Sequence, residues 1–135
     1  MENGQGFEKG LITLKPEQKF WQYVKKNFKQ IRWTRLENLS AFGTPDLLGY
    51  NNNCHFFTVE LKVTESKKVR LSPHQISFHV RHPLDTFILV LDARHSLLKL
   101  YEGKDVLELA ARGLSLDACC SGLAACRLRL ESLGA

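Results

Sequence analysis

Apolar residues recur at helical spacing after Pro16. Phe20, Trp21, Val24 and Phe28 fall on one side, while Lys19, Lys25, Lys26 and Lys29 occupy the rest. The pattern predicts a first helix over 16–29, with Pro16 in its first turn, where a missing N–H removes no helical bond. The period then shortens. Residues 31–36, 46–50 and 54–63 carry β-branched and aromatic residues and predict three strands. Asn51-Asn52-Asn53 supplies the turn between the last two, because asparagine tolerates left-handed backbone and bonds its own main chain. Ser72-Pro73 opens a second helix running to about His82 and stopped by Pro83. Residues 86–91 and 97–101 predict two further strands around a turn at 92–96. A helix over 104–112 follows, with Gly113 at its C-terminal stop. Residues 1–12 read as a loosely packed lead-in, 38–43 as a polar loop, and 64–70 as a charged, solvent-facing loop. The tail, 115–133, has helical composition with weak caps. The order is helix, three strands, helix, two strands, helix, which predicts an α/β domain.

With 135 residues, the chain suits one domain with a real core. A net charge of +5 favours a polyanionic partner without identifying one. No apolar signal region opens the sequence and no apolar run is long enough to span a bilayer, so a soluble, cytoplasmic protein is expected. Cys54, Cys119, Cys120 and Cys126 lack a CxxC spacing. They read as reduced, partly buried thiols rather than zinc ligands.

The candidate chemistry lies in two short runs. Gly43-Thr44-Pro45-Asp46-Leu47-Leu48 is followed, fourteen residues after Asp46, by Glu60-Leu61-Lys62. Alternation along 56–63 puts Phe57, Val59, Leu61 and Val63 on one face, and Glu60 and Lys62 on the other. A hairpin brings Asp46 near them. Two carboxylates beside a lysine can hold Mg²⁺ and direct a water at a phosphodiester, whereas each motif alone reads equally as a turn aspartate or an exposed ion pair.

Other residues join this set with an alternative attached. Gln75 either contacts phosphate or water, or serves only the Ser72-x-x-Gln75 capping box. Glu17 either reaches the site from the first helix or complements that helix's dipole. Glu37 is an alternative third acid. His74 is a phosphate contact or a surface histidine. Lys67, Lys68 and Arg70 are placed to clamp a nucleic-acid backbone, or form a solvated loop. Trp33 and Arg35 are expected to flank the same groove.

These residues resemble the PD-(D/E)XK nuclease superfamily: Pro45-Asp46, then Glu60-Leu61-Lys62, then the helix start Ser72-Pro73-His74-Gln75. The likeness is nearest to the small stand-alone VRR-NUC branch, found in phages and bacteria and related to Holliday junction resolvases. It covers roughly residues 16–101. The resemblance implies a restriction-endonuclease-like core, with a central mixed sheet of about five strands flanked by helices. A core over 16–113 would carry a helical tail over 114–135. It implies Mg²⁺ or Mn²⁺ held by Asp46, Glu60 and the carbonyl of Leu61. Lys62 would orient or deprotonate water, Gln75 would complete the site, and Glu17 would be the first-helix acid. The expected activity is metal-dependent endonucleolytic cleavage of DNA, plausibly branched, in the host cytoplasm if the gene is a phage's. Cleavage of ordinary duplex and non-catalytic DNA binding are the alternatives. A homodimer is expected, joined through the apolar tail Leu114–Leu133.

Overall fold

The computed structural model describes residues 15–36 and 43–135. Helix α1 (Pro16–Asn27) starts where expected, with Pro16 in its first turn and the Lys15 N–H donating to Gln18 Oε1 at 3.1 Å. It ends two residues earlier than the spacing predicts. Phe28 leaves the helix to bury its ring completely, while its N–H still reaches the Val24 carbonyl at 2.9 Å. Strands β1 (Arg32–Arg35), β2 (Leu47–Tyr50) and β3 (Phe56–Thr64) follow, then helix α2 (Pro73–Arg81). Next come β4 (Thr86–Asp92), β5 (Leu97–Glu102), a single 3₁₀ turn and helix α3 (Val106–Arg112). The chain closes with β6 (Cys120–Ser121) and helix α4 (Leu123–Glu131).

The strands form one mixed six-stranded sheet in the order β1-β2-β3-β4-β5-β6. Every neighbouring pair is antiparallel except β3–β4, which is parallel and joined by the α2 crossover. Antiparallel neighbours need only a turn between them, but a parallel pair needs a connection long enough to return along the sheet. One face carries α1 and α4 over Phe57, Val59, Leu61, Phe87, Leu89 and Leu100. The other carries α2 and α3 over Ile88, Val90 and Tyr101.

The tail departs from its helical reading. Gly122, at φ +90°, cannot continue a helix, and the Cys119 and Gly122 N–H groups pair with the carbonyls of Leu100 and Leu98 on β5. The sixth strand arises there, so the expected count of about five was one short. Cys126, Leu130 and Leu133 then enter the core beside α1, and Leu114 enters the opposite core. Of the tail's leucines that suggested a dimer, Leu114, Leu130 and Leu133 are therefore covered by the chain itself, whereas Leu128 stays exposed.

Asn51 locks the tail down. It is 3% exposed, and its Nδ2 donates to the Leu130 and Leu133 carbonyls at 3.0 and 2.9 Å, satisfying the end of α4. The loop 64–70 also differs from a wholly solvent-facing segment, because Val69 is buried in the core beneath α3. The four cysteines are free thiols. Cys54 and Cys119 are exposed, Cys126 is fully buried, and burial pushes its thiol up to about 12. No helix among the described residues is long and apolar enough to cross a membrane.

Candidate active site

The site forms where β2 stops short of β3. The last β2–β3 pair is Leu47 with Val59, so β3 continues past β2 and its next outward-facing backbone groups belong to Leu61. The Leu61 N–H finds Asp46 Oδ2 at 2.7 Å instead of a strand partner. Backbone direction alternates along an extended strand. The Thr58 N–H bonds the Asp85 carbonyl ahead of β4, whereas Leu61, an odd number of positions away, faces β2. The Leu61 carbonyl therefore points to the same open edge as Asp46.

Glu60 and Lys62 pair with Ile88 and Val90 of β4, and so lie on the α2 face, as strand alternation requires. Here α2 supplies the contact that joins them. Gln75 Nε2 donates to Glu60 Oε2 at 2.9 Å, and Lys62 Nζ donates to Gln75 Oε1 at 3.0 Å. The capping box is present too, with Ser72 N–H to Gln75 Oε1 at 2.9 Å and Gln75 N–H to Ser72 Oγ at 3.1 Å. The residue that closes the cap thus also bonds Glu60 and Lys62. Lys62 Nζ stands 3.8 Å from Glu60 Oε2, so the ammonium faces the carboxyl without a close direct bond.

Glu60 is 3% exposed, and burial pushes its carboxyl up to about 9, with the neighbouring Asp46 carboxylate adding to the rise and Lys62 opposing it. Glu60 Oε1 is buried with no hydrogen-bond partner. Such an atom carries an uncompensated desolvation cost. Partial burial likewise raises Glu17, whose carboxyl feels both Lys62 and Asp46, so α1 does bring its acid to the site's edge.

A pH dependence follows from Glu60. In the folded, cation-free chain it keeps its proton to about 9, while the unfolded chain releases it near the ordinary carboxylate value of 4.5. Its contribution to stability is thus complete below the unfolded value and is lost as pH rises toward the folded one. Urea unfolding should show stability falling steadily between about pH 5 and 9. In Glu60→Gln that part of the slope should vanish.

Gly43 fixes the approach to Asp46. It sits at φ +79°, and a Cβ there would overlap the His74 carbonyl at the start of α2. The loop carrying Asp46 is thereby packed against the backbone that presents Gln75. Gly43→Ala should cost about 1–2 kcal/mol. The loss would be read from the urea midpoint, with Gly43→Ser no better.

Asp46, Glu60, Lys62, Gln75 and Glu17 converge. His74 is exposed at the α2 N-terminus, and its side chain bonds nothing at the site. Arg35 lines a cleft with Glu17, Trp21 and Asp46, its guanidinium 5.7 Å from the Trp21 ring centre. On the other side, Lys68 and Arg70 line a cleft with Glu17 and Lys62, and Lys67 lies one cleft further on. Trp33 does not flank the groove. It pairs opposite Gly49, which leaves room for its indole to turn into the core against Phe28 and Phe57 and donate Nε1–H to the Phe28 carbonyl at 3.3 Å. Glu37 lies outside the described residues.

Sequence reasoning missed the packing role of Gly43 and the presence of Lys15 and Trp21 in the first cleft. A glycine ahead of Pro-Asp was the available signal for the former. No group of three His, Cys, Asp or Glu side chains among the described residues is arranged to hold a metal ion. The oxygens at the open edge belong to Asp46 and the Leu61 carbonyl, with the buried Glu60 carboxyl beside Asp46. No protein-family model and no curated protein matches the chain.

Proposed function

We propose that this protein is a divalent-cation-dependent endonuclease hydrolysing DNA phosphodiester bonds, with a site and a restriction-endonuclease-like core of the PD-(D/E)XK kind. The observation that carries this reading is the convergence of Asp46, Glu60 and Lys62 at the end of β2, tied together through Gln75. The topology agrees with it: an antiparallel β1–β3 unit followed by a parallel β3–β4 pair across a helix.

The residues fit a hard cation. Glu60 Oε1 is buried and partnerless, and the Asp46 carboxylate and Leu61 carbonyl face the same edge. Oxygen donors of this kind suit Mg²⁺ or Mn²⁺ and leave coordination positions for water and phosphate. A cation held there supplies positive charge against the developing phosphorane and acidifies a water. Asp46 and Glu60 are the holding groups, with Glu60 giving up its proton to do so. Lys62, its ammonium fixed by Gln75, orients the attacking water and balances negative charge on the phosphate. Glu17 stands at the edge of this set, placed to bond a water.

The test is incubation of purified protein with a four-way junction, a flap, linear duplex and RNA, each with Mg²⁺, with Mn²⁺ or with chelator. Cation-dependent scission of DNA is expected, strongest on a branched form. Two copies acting on one junction would appear as paired cuts. Tight DNA binding with no scission in either cation would replace this reading with a non-catalytic one.

A further inference from the structure

The candidate site opens on both sides. Its cleft on the α1 side, about 410 Å³, has Lys15 and Arg35 beside Glu17 and Asp46. A second cleft of about 420 Å³ shares Pro16, Glu17 and Val63 with the first and leads past Lys62 to Lys68 and Arg70. A third of about 330 Å³ shares Lys68, Val69 and Arg70 with the second and reaches Lys67 and Arg112 at the end of α3. The three clefts adjoin in series through these shared walls, with Glu17 between the first and the second. Along the second and third clefts, Lys62, Lys67, Lys68, Arg70 and Arg112 face two acids, Glu17 and Glu65.

The basic side of this groove is built against α3. The Leu114 N–H donates to the Lys67 carbonyl at 2.7 Å, and Thr64 Oγ1 donates to the Lys68 carbonyl at 2.7 Å. Gly113, at φ +59°, lets the Lys67 carbonyl approach where any Cβ would overlap it. Val69 is buried between them. The backbone bearing three cations is thus held beside Arg112 by bonds that have no bearing on the carboxylates. Arg112 itself contacts Glu108 Oε2 at 3.5 Å and the Ser115 carbonyl at 3.3 Å. Both ion-pair partners are exposed, so the pair is weak in water and yields readily to a phosphate.

We infer that Lys67, Lys68, Arg70 and Arg112 form a wing binding the sugar-phosphate backbone on one side of the scissile bond, with Lys15 and Arg35 serving the other. The strand then runs through the site rather than ending in it. Where the cut falls rests on the nuclease reading above; the binding surface does not.

The experiment measures affinity for labelled duplex DNA in chelator, from about 50 to 200 mM salt. Lys67→Gln/Arg112→Gln should weaken binding about tenfold, and each lost phosphate contact should make the log–log salt slope shallower by about 0.9. Arg112→Lys should restore most of its share. Lys26→Gln/Lys29→Gln, in the last turn of α1 and just past it, should leave both quantities unchanged. Wild type with Mg²⁺ or Mn²⁺ should also cut a covalently closed circle. If the wing and control variants lose affinity equally, or neither does, the wing is overturned even where DNA is cut. Wing-dependent binding without scission would sink the nuclease reading and leave the surface standing. Digestion confined to free ends would overturn the through-running path.

Discussion

Lys62→Ala should reduce DNA cleavage by about 10³-fold or more while leaving affinity in chelator within about threefold. The side chain lies at the site's centre, 3.0 Å from Gln75 Oε1 and 3.8 Å from Glu60 Oε2, yet it is one cation among many along the groove. Its loss therefore removes a charge placed against the reacting phosphate but little of the delocalised attraction for a polyanion. Structural damage should be slight, since Gln75 Oε1 still accepts the Ser72 N–H and the α2 cap survives. Asp46→Asn separates a second role. Asparagine can still accept from the Leu61 N–H, so the loop should hold, but the charge that attracts a cation is gone. Cleavage by this variant should fall and require more Mn²⁺, whereas Lys62→Ala should keep the wild-type cation requirement in whatever activity remains. Equal activity of Lys62→Ala and wild type would refute the assignment of that lysine.

The largest loss of stability is expected at Asn51. Asn51→Ala should cost roughly 2–4 kcal/mol, read as a drop in the urea midpoint. The side chain is buried and fully used: Nδ2 donates to two carbonyls of the α4 end, and Oδ1 accepts from Asn53 at 2.9 Å and His55 at 3.2 Å. Alanine takes this partner from the Leu130 carbonyl and from the Asn53 and His55 N–H groups, while the Leu133 carbonyl keeps only its bond from Asn53 Nδ2. Asn51→Asp should be at least as harmful, because it keeps the acceptors but points a charge at two carbonyl oxygens. Both variants should retain cleavage at low temperature, since the turn lies at the opposite end of β2 from Asp46. Partial proteolysis within 115–133 would mark the loosened segment.

Alternation made the strand of the candidate site readable in advance. Once 56–63 is a strand, Glu60 and Lys62 must share a face, and the Asn51–Asn53 turn brings β2 back alongside it. The α2 boundary was equally plain from Ser72, Pro73 and Gln75. What stayed hidden depends on tertiary neighbours. A two-residue strand such as β6 has no period of its own and exists because β5 offers an edge to bond. Trp33 looked like a groove residue because alternation gives its side, while only the bare Cα of Gly49 opposite shows that the side is filled by the ring itself. Gln75 seemed to require a choice between cap and site because local pattern reports one role at a time. A carbonyl oxygen and an amide nitrogen on one side chain can serve both.

That shared side chain ties the helix to the chemistry. The first turn of α2 is closed by the same amide that spaces Glu60 from Lys62. Fraying at Pro73 would therefore release the lysine and the glutamate together, and ligand binding between them should slow amide exchange throughout that turn.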